Sequence, residues 1–347
     1  MVGSSFVVDL PGPLRQELEA ELDAYSVTEL GGAADRLSAR YRSDQPATQP
    51  ILTSPLDCAA YLTTRMPATY AAARQVFDRL VASRPDFQPR TLLDLGAGTG
   101  ACTWAAADAF PSLASSHLVD ASESALAAAQ RMLKNSPVEV THSADRLDRP
   151  GWATMTADFD LVVGGFLLGE LDAATQAPLV LVMATAAPVV VVVEPGTPAG
   201  YRRVLRARAA LIAAGRHVLA PCPHESACPL EQTQDWCHFA VRLTRSIRHR
   251  QVKGAERGYE DEKYAYVVAG TQPPIGRSAR ILRHPQIRTG HVRMPICAIE
   301  PGIQDVTLSK RHRDEYRAAR HARWGDPWQP ATSAEAPPTS EPNDASS

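Results

Sequence analysis

The chain has 347 residues, 44% hydrophobic and 21% charged, with a formal net charge of −2. This is ordinary globular composition, enough for about two domains, and it excludes a wholly disordered chain. No apolar run reaches the ~18 residues of a membrane span; the longest, residues 186–193, contains Pro188 and reads as a buried strand. The first residues show neither a basic segment nor a long apolar one, so no export signal and a cytoplasmic location are expected. Four of the six cysteines, Cys222, Cys228, Cys237 and Cys297, fall in the C-terminal half. In a reducing compartment that favours a metal site over disulfides. Residues 201–328 hold 23 Lys and Arg against 12 Asp and Glu, whereas the remainder holds 13 against 26. A basic half in a near-neutral chain points to a polyanionic partner.

In chain order, apolar residues at three- and four-residue spacing (Leu14, Leu18, Leu22; Tyr70, Ala73, Phe77, Leu80) predict helices up to about Ser83, with a break near Thr28 to Gly31. A Pro-containing linker, SDQPATQPILTSP, interrupts them. From Arg90 the pattern becomes short Val- and Leu-rich runs alternating with helical stretches at 102–110, 123–133, 173–184 and 198–214. That alternation predicts a parallel sheet with crossover helices, with ligands at the carboxyl ends of the strands. Further strands are predicted in RHVLAPCPH and EDEKYAYVVAG, then a β-rich stretch over 278–310, a basic helix over 310–324, and a polar tail.

LLDLGAGTG places Asp94, Gly96, Gly98 and Gly100 at a strand-to-helix turn, where glycines let the backbone approach a ligand. The spacing is neither the dinucleotide fingerprint nor a phosphate-binding loop for nucleoside triphosphates. An acid before the glycines can hold an amine-bearing ligand. Asp120 lies where doubly wound folds read a ribose diol. Asp145, after the next strand, can accept from an adenine amine. Over residues 90–193 this pattern resembles the class I S-adenosylmethionine-dependent methyltransferases. The resemblance implies cofactor contact by Asp94, Gly96, Gly98, Gly100, Asp120 and Asp145, with Gly164, Gly165 and Phe166 on the floor. No catalytic residue is assigned. The place of an Asn/Asp-Pro-Pro-aromatic motif reads GGFLLGEL, Cys102 sits in the turn helix as a packing residue, and Glu170 and Glu194 lie at strand ends as candidate bases or ion-pair partners.

Four thiolates suit tetrahedral zinc or an iron–sulfur cluster. The spacing Cys222-x5-Cys228-x8-Cys237 lacks the paired C-x-x-C of zinc ribbons and fits a cluster in an irregular loop better, with His224 and His238 as substitute ligands. APCPHESACPL, DWCHF, QVKGAERGYEDEKYAYV and WGDPW, with YLTTRMPATYAA and EPGTPAGY, together resemble the methyltransferase-like family of the mitochondrial small ribosomal subunit and its bacterial homologues, over about residues 58–328. The resemblance implies an assembly factor on small-subunit ribosomal RNA or a pre-30S particle. It implies S-adenosylmethionine binding, ribosomal RNA methyl transfer in the bacterial members, and a four-iron–four-sulfur cluster on Cys222, Cys228, Cys237 and Cys297. Two alternatives stand beside it: a non-catalytic iron–sulfur RNA-binding factor, and a small-molecule or protein methyltransferase with structural zinc. Arg242, Arg245, Arg248, Arg250, Lys253 and Arg257, and Lys310, Arg311, Arg313, Arg317, Arg320 and Arg323, form two basic segments read as helical faces for phosphates, with Trp324 and Trp328 as base-stacking or packing residues.

The expected architecture is α/β: a class I methyltransferase (Rossmann-like) sheet with a helical N-terminal region (1–85), a methyltransferase-like domain (86–270) carrying a cysteine loop (217–240), a basic β-rich extension (271–328) and a disordered tail (329–347). A monomer without membrane contact is expected.

Overall fold

The computed structural model describes residues 7–42, 45–47, 49–148 and 158–329. After a short strand β1 (Val7–Val8) come four helices: α1 (Gly12–Leu22), α2 (Val27–Arg42), α3 (Pro55–Thr64) and α4 (Met66–Ser83). The break expected near Gly31 does not occur, because α2 runs through Gly31 and Gly32. Its start is fixed by a reciprocal cap: the Glu29 N–H donates to Ser26 Oγ (3.2 Å) and the Ser26 N–H donates to the Glu29 carboxylate (2.9 Å). Leu30, Ala33, Ala34 and Leu37 bury one face. That stripe outweighs the helix cost of two glycines, about 1 kcal/mol each.

The sheet follows the predicted alternation: β2 (Thr91–Leu95), α5 (Ala101–Ala109), β3 (Ser115–Asp120), α6 (Glu123–Met132), β4 (Glu139–Ala144), β5 (Leu161–Gly165), α7 (Ala173–Ala186), β6 (Val189–Pro195), α8 (Pro198–Ala213), β7 (His217–Ala220), β8 (Phe239–Thr244), α9 (Ile247–Lys253) and β9 (Tyr259–Gly270). The strand order is β1-β8-β9-β6-β5-β2-β3-β4, with β7 also on β9. Strands β2 to β6 pair in parallel, and β9 joins β6 antiparallel. This is the class I methyltransferase form of the doubly wound fold. The chain runs outward in both directions from β2 and β5, so the switch point lies between those two strands. In β6, Val189, Val191 and Val193 enter the apolar core on one face and Val190 and Val192 the core on the other. Helices α1 to α6 cover the first face; α7 and α8 cover the second.

Strands β7 and β8 both run antiparallel along the same long strand β9. Ala220 stands opposite Val268 and Phe239 opposite Tyr264. The cysteine loop is therefore an excursion inserted into one interrupted strand beside β9, and its two ends must return to nearly the same place.

A second sheet is built from β10 (Ala279–Ile281), β11 (Gln286–Arg288), β12 (His291–Cys297), β13 (Ile303–Ser309) and β14 (Pro327–Trp328), with α10 (Arg313–His321) before the last strand. Helix α10 is shorter than the predicted 310–324. The first basic segment departs further from expectation, because its helical spacing is split between β8 and α9. The alternation Phe239, Val241, Leu243 buries one side of a strand there. The predicted disordered tail lies, but for Gln329, outside the described residues. No helix among the described residues is long and apolar enough to cross a membrane.

Candidate cofactor cleft and cysteine pocket

At the switch point a cleft of about 1080 Å³ opens between the glycine turn, the strand ends and the N-terminal helices. Gly96, Gly98, Asp120, Asp145, Gly165 and Phe166 line it. Gly98 has φ +53°, and a Cβ there would meet nothing within 4 Å, so the turn is open on the ligand side. Asp120 holds the turn in place: its Oδ2 accepts from the Gly98 N–H and its Oδ1 from the Ser122 N–H, both at 2.8 Å. Burial raises Asp120 above the usual carboxylate range, while these amides counter the shift.

Asp94, Gly100 and Gly164, predicted beside these residues, do not line the cleft. Asp94 is buried and accepts from the Thr103 N–H (3.1 Å) and hydroxyl (2.8 Å), tying the end of β2 to the first turn of α5. Its other oxygen is buried without a hydrogen bond, and burial pushes the group up to about 7. Gly100 has φ +82°, and a Cβ there would strike Leu133, so this glycine serves helix packing. Gly164 packs against Leu167 and Met183. Cys102 is buried with its sulfur against Gly165, in keeping with a packing role.

The opposite wall was not read from the sequence. Tyr41 and Arg40 of α2, the linker residues Gln45, Pro46 and Ala47, Tyr61 of α3 and Arg65 face the glycine turn across the cleft. Tyr41 and Tyr61 stand 6.3 Å apart, with the Arg65 guanidinium 5.6 Å from the Tyr41 ring. The sequence signals were the linker's prolines and the segment YLTTRMPATYAA, neither of which says that these residues meet a turn some thirty to fifty-five positions further on. Of the two candidate bases, Glu194 is fully buried: its Oε1 accepts from the Leu168 N–H (2.8 Å) and its Oε2 from Arg203 Nε (2.6 Å). Glu170 is half-buried in the cleft, and burial together with Asp120 and Glu194 pushes it up to about 8.

All four cysteines of the C-terminal half line one pocket. Cys222 and Cys237 stand at the two ends of the excursion between β7 and β8, Cys228 lies within it, and Cys297 arrives from the end of β12. No disulfide forms, and Cys297 Sγ lies 3.7 Å from His224 Nε2. His224 Nδ1 is buried without a partner. His238 is a packing residue, stacked on Trp236 at 5.1 Å and edge-on to Trp324 at 4.8 Å. Three arginines stake the loop through its carbonyls. Arg208 donates to His224 and Ser226, Arg277 to Pro223, and Arg280 to Pro221. Among the described residues no three His, Cys, Asp or Glu groups close to metal-binding spacing. Burial pushes the Cys297 thiol up to about 12 and raises Cys222 and Cys237, while Arg208 and Arg280 pull Cys222 and Cys297 back. Unligated, these thiols stay protonated at neutral pH.

Of the basic segments, the first is largely neutralised within the chain. Arg242 pairs with Asp261 (2.7 Å), Arg245 (3.1 Å) and Lys253 (3.4 Å) with Glu260, and Arg248 with Asp23 (3.0 Å). Helix α10 is different. Arg313, Arg317 and Arg320 are exposed, and the helix buries only Ala319. Trp328 is buried in β14, and Trp324 packs against His238, His284 and Arg283. Packing, rather than base stacking, is what both tryptophans do.

A family model described as "Mitochondrial small ribosomal subunit Rsm22" matches residues 55–329. The chain belongs to the Rsm22 family. It is 31% identical over 287 residues to human "Ribosome assembly protein METTL17, mitochondrial", covering 77% of this chain and 61% of that protein. It is 22% identical over 349 residues to "Rsm22-cox11 tandem protein 2, mitochondrial" of Schizosaccharomyces pombe, covering 84% of this chain and 45% of that one. The Rsm22-family chain thus spans about half of these relatives' length. Solved structures similar to it include magnesium protoporphyrin IX methyltransferase of Synechocystis PCC 6803 with bound S-adenosylmethionine (TM-score 0.36, 15% identity, 58% of this chain and 80% of that one). The plantazolicin methyltransferase BpumL is another (TM-score 0.39, 10% identity, 75% and 100%). The fold assignment rests on the strand order above. The expected cytoplasmic location is overturned, because the family and both relatives carry mitochondrial names.

Proposed function

We propose that this Rsm22-family chain is an assembly factor of the small ribosomal subunit that binds S-adenosylmethionine in the switch-point cleft and an iron–sulfur cluster in the cysteine pocket. The observation that carries the reading is the convergence of Cys222, Cys228, Cys237 and Cys297 from two separate sheets on one pocket. The donor set fits a cluster: four reduced sulfurs, with buried Arg208 and partly buried Arg280 beside them to offset the negative charge of ligated thiolates. A bound cluster would supply a covalent clamp between the loop and β12. Taking it up requires these thiols to release their protons.

The cofactor cleft fits S-adenosylmethionine by its open Gly98 and by Asp120 at the end of β3. Gly98 would let the backbone approach the ligand, Gly96 lets the turn pass close against Leu167, Asp120 would read the ribose diol and Asp145 the adenine amine. The bound cofactor supplies an electrophilic methyl group. The chain's part is to seat it and, through α2, α3 and the linker, to roof the cleft against water.

Association with the small ribosomal subunit is supported by the names of the family and its relatives, and contact with its RNA by the exposed cations of α10. The test is co-sedimentation with pre-30S particles of the intact chain and of a variant with Arg313, Arg317 and Arg320 changed to Gln. Association is expected to weaken and to lose salt dependence in the variant. Identical sedimentation of the two proteins at every salt concentration refutes the α10 contact.

A further inference from the structure

With S-adenosylmethionine in the cleft, as proposed above, one carboxylate faces it from across the switch point. Glu170 ends a 3-10 turn (Leu168–Glu170) that follows β5, opposite the Gly96 to Gly98 bend. Its backbone is pinned twice: its N–H donates to the Leu167 carbonyl (2.9 Å) and its carbonyl accepts from the Ala47 N–H (2.8 Å). The turn is held from beneath by the buried Glu194 and Arg203, through the Leu168 N–H. The Glu170 carboxylate itself accepts no hydrogen bond among the described residues. The groups around it are Arg40 and Tyr41 from α2, Tyr61 from α3, Asp120 from β3 and Glu194 from β6. Arg40 is held at the Gln49 carbonyl (3.0 Å).

We propose that Glu170 is the group that takes the proton from a nitrogen acceptor during methyl transfer in this cleft, with Glu194 and Arg203 as its positioning pair. In that step the acceptor's lone pair forms the new N–C bond. The S–C bond breaks with its electrons kept by sulfur, leaving a neutral thioether, and the N–H proton passes to the Glu170 carboxylate. The described lining contains no thiol nucleophile, so the acceptor itself must attack and lose a proton, as an N–H acceptor does. Transfer to a pyrimidine carbon would want a cysteine nucleophile, and Cys102 is sealed behind Gly165. Burial and the neighbouring carboxylates set Glu170 to ionise at about 8, close to the operating range of a general base.

A binding experiment tests this without requiring turnover. S-adenosylmethionine carries a sulfonium charge and S-adenosylhomocysteine does not, while their amino-acid ends are the same. Calorimetric affinities of both are measured at pH 6.5 and pH 9 for the wild type, Glu170→Gln and Glu170→Asp. An ionised Glu170 beside the sulfonium should raise the ratio of the two affinities by about tenfold or more between these pH values, since an opposite charge within reach shifts a carboxyl by one to three units. The rise should vanish in Glu170→Gln and return in Glu170→Asp. An unchanged ratio in the wild type, or the same rise in Glu170→Gln, overturns the role of Glu170 and leaves the cofactor reading standing. Failure of the wild type to bind either ligand overturns both. If Glu170→Gln does not fold, the wild-type ratio and Glu170→Asp decide the matter.

Discussion

The two sites of this molecule are assembled in opposite ways. The cofactor side of the cleft comes from the consecutive ends of β2, β3 and β5, so its residues lie within one run of the chain. The cysteine pocket joins an excursion from the interrupted strand beside β9 to the end of β12 in another sheet. A local site inherits its geometry from the sheet and stands ready without its ligand. A site made of distant pieces must be paid for by whatever binds there. Stability should therefore respond to ligand removal far more strongly at the second site than at the first.

That contrast can be broken at several points. The largest effect is expected at the pocket: Cys228→Ser should abolish metal uptake and lower the melting temperature of the intact chain markedly, because metal binding there is also folding free energy. Equal melting of the variant and the holoprotein would count against the difference between the sites. Next comes Glu194→Ala, which removes the fully buried carboxylate that accepts from Arg203 and from the Leu168 N–H. Breaking such a buried pair costs about 3–5 kcal/mol, read by denaturant unfolding.

Asp120→Ala should leave folding nearly intact and weaken S-adenosylmethionine binding by about ten- to a hundredfold, since the charged acceptor also fixes Gly98. Calorimetry reads it, and unchanged affinity would remove Asp120 from the site. A further effect concerns pH. Burial holds Asp94 at about 7 and Glu170 at about 8. The folded chain therefore keeps protons that the unfolded chain has already released between about pH 4 and pH 8, and stability falls as pH rises through that window. In Glu170→Gln the decline of melting temperature with pH should be shallower.

Much of this architecture was legible because it rests on local pattern. The runs of Val and Leu, the glycine turn and the intervening helices announce a parallel sheet, and the sheet then fixes where Gly96, Gly98, Asp120 and Asp145 meet. Three kinds of residue escaped that logic. Gly31 and Gly32 look like a stop, but the Ser26–Glu29 cap and a buried stripe carry α2 through them. Arg242, Arg245 and Arg248 sit at helical spacing, yet the apolar alternation of residues 239–243 puts Arg242 in a strand, Arg245 follows it and Arg248 falls in α9, and their partners Asp261, Glu260 and Asp23 come from other elements or the link between α1 and α2. Asp94 and Gly164 match a cofactor pattern by type but face inward, because a strand alternates its faces and the turn leaves only some of its residues toward the cleft. The roof of Tyr41, Tyr61 and Arg65 was invisible because tertiary packing, not spacing, brings it into place, whereas the four cysteines were legible by residue type and packing then gathers them in one pocket.

The most direct test of the account is made on Cys297, the one thiol supplied by the second sheet. Iron, acid-labile sulfide and visible absorption are measured in the anaerobically purified wild type and in Cys297→Ser. The account predicts about four iron and four sulfide per wild-type chain, with both contents and the sulfur-to-iron charge-transfer absorption lost in the variant. A wild type that carries zinc or remains colourless, or a variant that keeps its full iron content, would contradict it.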